Sequence, residues 1–318
     1  MKKLLLIVSL AYLTLGMQAQ PPADTTPTYP SGATYTHSSG TSTITDNYSS
    51  STQYYNVIQC TGGTLTMNGC TITKTGDGSG GDNSSFYGNN SSIYAGAASS
   101  TNYQSKTAAS GAKIVINNVT VNGSAQGANA VIATNGASGD ASGVNPVMTI
   151  TGGSLTTTDT SAPLLEVATC VTATCTLSGV TVNAGSGILM YVMADSQWST
   201  SGAVGNLILD DGEYSGIVKY DTGYTANVTV NSGAVWNLTG DATVSTLVNN
   251  GTINRNGYTL TVSGTTSGSG VINETTGIET IRHNQSLSGR TAYTVGGRLA
   301  SADTKGIVIQ DGKKVVIK

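Results

Sequence analysis

Charge is scarce in this sequence. Asp, Glu, Lys and Arg make up only 10% of 318 residues, while apolar residues make up 38%. A disordered chain reaches its low apolar content through high charge or featureless polarity, and neither description fits here. Histidine is nearly absent. His37 and His283 are the only two, one in a Ser/Thr-rich N-terminal stretch and the other near the C-terminus. A Ser-His-Asp or Cys-His site needs an imidazole held on a rigid body, so neither chemistry is expected, nor is a His-based metal site. No phosphate-cradling GxxxxGK[ST] occurs, and no EF-hand loop or calcium-binding nonapeptide array is present. No metal and no cofactor is therefore expected. Beyond the first twenty residues no apolar run is long enough to cross a bilayer.

Basic residues are also few where they would matter. Residues 20–276 hold five basic side chains against fourteen acidic ones, a net of −9. Residues 277–318 hold seven basic and three acidic, a net of +4, and Lys2 and Lys3 complete the overall −3. An acidic body excludes nucleic acid as a partner, because such binding needs a basic face that releases counterions.

The chain opens with Lys2 and Lys3, an apolar Leu4–Leu15 and a small-residue site at Met17-Gln18-Ala19. That order reads as a signal peptide over residues 1–19, with the mature chain beginning at Gln20 and exported. Residues 20–52, rich in Pro, Thr, Ser and Gly, read as a linker or entry segment. A body follows over 53–276, with a polar insertion at 77–110 that carries Tyr87, Tyr94 and Tyr103.

The body repeats itself. Leu65–Ile72, Ile114–Val121, Met148–Leu155, Cys175–Val182, Leu207–Tyr214 and Val228–Val235 share apolar residues at the first, third and eighth places. A small or turn-forming pair occupies the fourth and fifth. First and third places face the same side of a strand, and the polar pair bends the chain. The segments start 49, 34, 27, 32 and 21 residues apart. A fixed local pattern at irregular spacing predicts solenoid coils that carry loops of different length. A β-sandwich explains the strands but not the common turn column. The expectation is an all-β fold, a right-handed parallel β-helix with coils ~4.8 Å apart, followed by a small antiparallel C-terminal β unit. Ile307–Ile309 and Val315–Ile317 flank Asp311-Gly312, a hairpin signal, and Thr291–Val295 supplies a third strand.

Two resemblances add to this reading. The run Val228–Val262, with its Asn/Gly turns between short alternating strands, resembles the late coils of bacterial right-handed β-helix surface proteins. Those are adhesin passengers and pectin-lyase-like repeat proteins. Residues 277–318 resemble the C-terminal sorting domain of the type IX (Por) secretion system. The resembling residues are Gly277–Ile281, Tyr293, Gly297 and Arg298, Lys305 and Gly306 with Ile307–Ile309, and Asp311, Gly312, Lys313 and Lys314 down to Lys318. The sequence departs from that pattern at Thr294-Val-Gly-Gly297, where a more polar Asn-Gly turn is usual. The resemblance implies passage of folded cargo across the outer membrane of Gram-negative bacteria by dedicated secretion machinery. It also implies a tail that is removed on release or anchoring, and a protein at the outer cell surface or outside the cell.

Candidates for chemistry remain. Cys60, Cys70, Cys170 and Cys175 sit in an exported chain where disulfides are permitted, yet Cys70 and Cys175 fall on apolar columns that suit buried thiols. Asp210, Asp211 and Glu213 form the densest acidic cluster. Paired carboxylates are what a polysaccharide hydrolase needs, but Asp210 and Asp211 also occupy the turn places, where Asp bonds its own backbone. Trp198, Tyr191, Tyr220 and Tyr224 gather between two repeats with Tyr214, and can stack on a sugar or anchor a protein. Trp236 is expected to pack inside the closing coils. The expectation is an exported, non-enzymatic binding, adhesin-like or structural module for a glycan or a host or cell-surface protein. The polysaccharide hydrolase is the alternative.

Overall fold

A computed structural model describes residues 32–78, 90–96, 112–127, 131–134, 145–168, 171–194, 202–274, 292–301, 304–310 and 313–317. The expected signal peptide, Cys170, Trp198, His283, Asp311 and Gly312 lie outside these residues. Every regular element among them is a strand.

The body is a pile of rungs, most of them three short strands long. The first is β1 (Ala33–His37), β2 (Thr41–Ile44) and β3 (Tyr48–Ser50). The second is β4 (Asn56–Cys60), β5 (Thr64–Asn68) and β6 (Thr71–Lys74), and the third β7 (Ile93–Ala95), β8 (Lys113–Asn117) and β9 (Thr120–Gly123). Then come β10 (Ile132–Thr134), β11 (Val147–Thr151) and β12 (Ser154–Thr157), and β13 (Leu165–Ala168), β14 (Thr172–Ser178) and β15 (Thr181–Ala184). The sixth and seventh rungs have two strands each, β16 (Ile188–Met193) with β17 (Val204–Ser215), and β18 (Ile217–Tyr220) with β19 (Thr225–Asn237). The last two are β20 (Ala242–Val244), β21 (Thr246–Asn249) and β22 (Thr252–Asn254), then β23 (Leu260–Val262), β24 (Thr266–Ser267) and β25 (Val271–Asn273).

Sheet A takes the order β1-β4-β7-β10-β13-β16-β18, sheet B takes β2-β5-β8-β11-β14-β17-β19-β21-β24, and sheet C takes β15-β12-β9-β6-β3. Neighbours within each sheet are parallel. Within these sheets each inner strand thus pairs with its counterparts one rung earlier and one rung later, while β20 and β23 pair with each other apart from them. In-register parallel pairing sets like residue on like residue. Leu65, Ile114, Met148, Cys175, Leu207 and Val228 are successive partners, and so are Met67, Ile116, Ile150, Leu177, Leu209 and Val230. All are buried. The first and third places of the repeat are two apolar ladders running through one core, each full burial contributing roughly 1.5–3 kcal/mol.

The turn places are equally regular. Gly69, Asn118, Gly152 and Gly179 take φ values of 62°, 52°, 63° and 62°. This left-handed conformation is open to Gly and tolerated by Asn. It turns the chain from sheet B into sheet C, and each of the four amides donates to a carbonyl one rung on, at 2.8–2.9 Å. Close approach fixes a second glycine: a Cβ on Gly153 (φ 73°) would strike the backbone oxygen of Val119.

The structure corrects several expectations. Residues 33–50, read as part of an entry segment, form the whole first rung: Ala33, Tyr35 and His37 alternate with the exposed Thr34 and Thr36, whereas Thr41–Ile44 carries Thr and Ser on both faces. His37 is therefore on the rigid body, and buried. The polar insertion contains β7, whose three residues are all buried. The stack itself continues through β24 and β25 to Asn273, inside the expected body. In the sixth repeat Tyr214 pairs with Trp236 rather than Val235, owing to a register shift between Leu209 and Asp211. Trp236 fills the interior and donates its Nε1–H to the Gly216 carbonyl at 2.9 Å.

At the C-terminus, β26 (Ala292–Thr294), β27 (Gly306–Gln310) and β28 (Lys313–Ile317) form a separate three-stranded antiparallel sheet. Val308 is buried in it. Tyr293 pairs with Ile309, and Lys313 and Lys314 pair with Gln310 and Ile309. Gly297, at φ 79°, closes a turn with its N–H on the Thr294 carbonyl, while Arg298 and Lys305 flank the strands. Among the described residues no helix is long and apolar enough to cross a membrane.

Candidate functional site: the outward faces of the stack

Period two along each strand gives the stack an outer surface as regular as its core. On sheet B, one outward column carries Thr43, Thr66, Thr149, Thr176 and Thr229, broken by Val115 and Ile208. A parallel column two residues earlier carries Thr41, Thr64, Thr174, Asn206, Asn227 and Thr246 around Lys113 and Val147. Sheet C continues the pattern with Thr73, Asn122, Thr156 and Asn183. Across the first five rungs the outward strand positions of sheets B and C hold a single charge, Lys113.

Amide and hydroxyl side chains tie these columns from rung to rung. Asn117 donates to Asn68 Oδ1 at 2.8 Å at the corner. Asn227 donates to Asn206 Oδ1 at 2.9 Å on sheet B, and Asn206 in turn to Thr174 Oγ1 at 3.4 Å. Lower down, Asn273, Asn254 and Asn237 each donate to the residue above, at 2.7, 2.7 and 2.6 Å, and the last acceptor is Glu213 Oε1.

The acidic cluster belongs to these ladders. Asp210 holds the same fourth place of the repeat as Asn68, Asn117 and Ser178, but it lies in a register shift that pairs Ser178 with Asp211. The Asp210 carboxylate accepts from Ser178 Oγ at 3.1 Å on one side and Asn231 Nδ2 at 2.6 Å on the other. Glu213 heads the asparagine ladder. The Asp211 backbone carbonyl accepts the buried Tyr214 hydroxyl at 2.6 Å. Two of the three carboxylates thus accept amide donors from the next rung, the local role that turn-forming Asp and Asn play elsewhere in the column.

The aromatic group does not assemble into one platform. Tyr191 and Lys219 point outward from sheet A, whereas Tyr220 pairs with the inward Val192, and Tyr224 is buried. Tyr220 donates to Ser263 Oγ at 2.8 Å. What forms instead is a polar patch on sheet A that only the register reveals. Glu166, Tyr191 and Lys219 are successive partners. Lys219 Nζ lies 4.0 Å from the Tyr191 ring centroid, and Tyr191 donates its hydroxyl to Asp221 Oδ1 at 2.7 Å. Desolvation, then the Asp221 bond and charge, push the Tyr191 phenol up to about 12. It stays protonated at neutral pH, a hydrogen-bond donor rather than a base.

Cys60, Cys70 and Cys175 are buried free thiols, and no disulfide joins any two of them. Burial pushes Cys60 up to about 11 and Cys175 to about 12, and raises Cys70 as well. One juxtaposition has no signal in the sequence: His37 and Cys60 are register partners on sheet A. They do not make a nucleophilic pair. Cys60 Sγ donates to the Gly62 carbonyl at 3.5 Å and His37 Nε2 lies 3.3 Å from the Gly40 carbonyl, so each serves its own rung's turn. A thiol held protonated is a poor nucleophile. Among the described residues no group of three or more His, Cys, Asp or Glu side chains is placed to hold a metal ion. No family model matches the chain, and neither a curated protein nor a solved structure matches it.

Proposed function

We propose that this is an exported, surface-displayed right-handed parallel β-helix that works as a non-enzymatic binding or adhesive module. Its signal-like N-terminus and its C-terminal unit, which resembles a type IX sorting domain, frame a solenoid body. The observation that carries the reading is the outer surface of sheet B. It is long, built from hydroxyls and amides in register, and almost free of charge across the first five rungs. Such a surface offers many weak donors and acceptors at fixed spacing, which suits an extended partner rather than a small molecule. Stacked rungs also pre-organise the face, so little side-chain entropy is lost on contact.

The test is to pass the purified mature protein over glycan and host-protein arrays, with reducing-end release from a polysaccharide panel measured in parallel. Binding without release supports the module. Release abolished by Asp211→Asn would overturn it in favour of a hydrolase. For the tail, deletion of residues 277–318 is expected to leave the protein inside the outer membrane; normal arrival at the surface would discard the sorting role.

A further inference from the structure

Resting on the binding-module reading, we infer that the outward face of sheet B is the contact surface, and that its partner is the ordered surface of a neutral polysaccharide. Three observations lead there.

The first is charge. The body carries a net of −9 over residues 20–276, so it repels polyanions such as polyuronates and anionic lipid headgroups at long range. Sheet B presents Lys113 as its only outward charge in the first five rungs. A polyanion is repelled by the body and finds only Lys113 to pair with on this face, and a neutral partner avoids that repulsion.

The second is spacing. Outward side chains recur at ~4.8 Å from rung to rung and at roughly 6.5 Å between alternate residues of one strand. The face is therefore a two-dimensional grid. An isolated small ligand touches only a point of it. A regular array of pyranose rings repeats its hydroxyls along the chain and between chains, and meets many grid points at once. The weak individual hydrogen bonds then add through multivalency.

The third is rigidity and composition. Most outward positions are Thr or Val, whose branched Cβ leaves χ1 little freedom, and Asn227, Asn206 and Thr174 are further tied to one another. No aromatic side chain stands in either outward column between Thr41 and Val248. Single-sugar sites commonly rely on ring stacking. An aromatic-free hydroxyl grid instead exchanges hydroxyl contacts with an ordered surface.

The experiment is a depletion assay of the mature full-length protein with particles of microcrystalline cellulose, insoluble β-1,3-glucan and chitin, with polygalacturonate particles and immobilised protein films as counterparts. At least one neutral solid is expected to deplete the protein, with at least tenfold less bound to polygalacturonate. The triple variant Thr66→Glu, Thr176→Glu, Thr229→Glu places one charge on each of three separated rungs and is expected to lower the bound fraction at least tenfold. Thr73→Glu with Thr156→Glu, on sheet C, is expected to stay within twofold of the parent. If the glutamate triple shows a shifted melting transition, the corresponding alanine triple is compared instead, and a fivefold loss is expected. The inference is overturned if no neutral solid retains the parent, or if sheet B and sheet C variants lose binding equally. Retention on protein films alone overturns it too, while leaving the broader binding-module reading standing. Failure on every solid, film and array would remove that reading as well.

Discussion

Rungs two to five and rungs six to seven solve the same corner differently. In the earlier set, Gly69, Asn118, Gly152 and Gly179 take a left-handed φ, and the chain breaks cleanly into a sheet B strand and a sheet C strand. In the later set the fifth place of the repeat is Asp211 or Ser232, and neither adopts a left-handed φ. The strand runs on through the corner, giving β17 and β19 twelve and thirteen residues. A register shift between Leu209 and Asp211 takes up the extra residue. Tyr214 and Trp236, register partners, are both buried in the core at this bend. Gly or Asn at the fifth place thus goes with a sharp corner, and Asp or Ser with a continuous bent strand.

The two corner designs can be tested from either side. Trp236→Ala should have the largest effect, a loss of about 3–5 kcal/mol in urea unfolding, because it empties a buried indole site and removes the donor to the Gly216 carbonyl. Gly153→Ala comes next at about 2–4 kcal/mol, since it adds left-handed strain to a collision with backbone that cannot move aside. Gly69→Ala has the same strain, but nothing lies within 4 Å of the new methyl, so about 1–2 kcal/mol is expected. Equal losses for these two glycines would refute the distinction between conformational and contact roles. Asp210→Ala removes the acceptor that joins Ser178 to Asn231, at the junction of the two sets, and should cost about 0.5–1.5 kcal/mol. The smallest effect at neutral pH is Cys175→Val. Its thiol lies at about 12 when buried against an ordinary 9.0. The folded state holds its proton longer than the unfolded state does, so this group's stabilisation is complete below pH 9 and drains away as pH rises toward 12. Melting temperature should therefore fall less steeply above pH 9 in the variant than in the parent.

Much of this organisation is legible in the order of residues alone. The first and third places of Leu65–Ile72 and its five companions are the two inward ladders, in register. Asn68, Asn117, Asp210 and Asn231 read as a turn column, and Tyr214 as an inward residue. Other features are not legible. Thr and Ser on both faces of Thr41–Ile44 hide the period that marks a strand, and the alternation in Ala33–His37 is only five residues long between Pro-, Ser- and Gly-rich flanks. Val235 holds the eighth place of its repeat, where the pattern puts an inward residue, yet the register shift turns the neighbouring Trp236 inward and leaves Val235 half-buried. Tyr191 and Tyr220 read as neighbours in a loop-rich stretch, yet a shift near Ile188 and Met190 sets them on opposite faces.

The local grammar is written into the chain: short strands, Gly and Asn corners, an apolar period of two, a hydroxyl-rich complement and a basic C-terminal segment. These follow from backbone sterics and side-chain hydrophobicity, which act over a few residues. The register, by contrast, exists only once the rungs are stacked. Pairing between distant residues is what aligns Thr43 with Thr66, Asn206 with Asn227, Glu166 with Tyr191 and His37 with Cys60. No local rule fixes such pairings, because loops of different length separate the rungs and a one-residue slip would exchange the two faces of a strand.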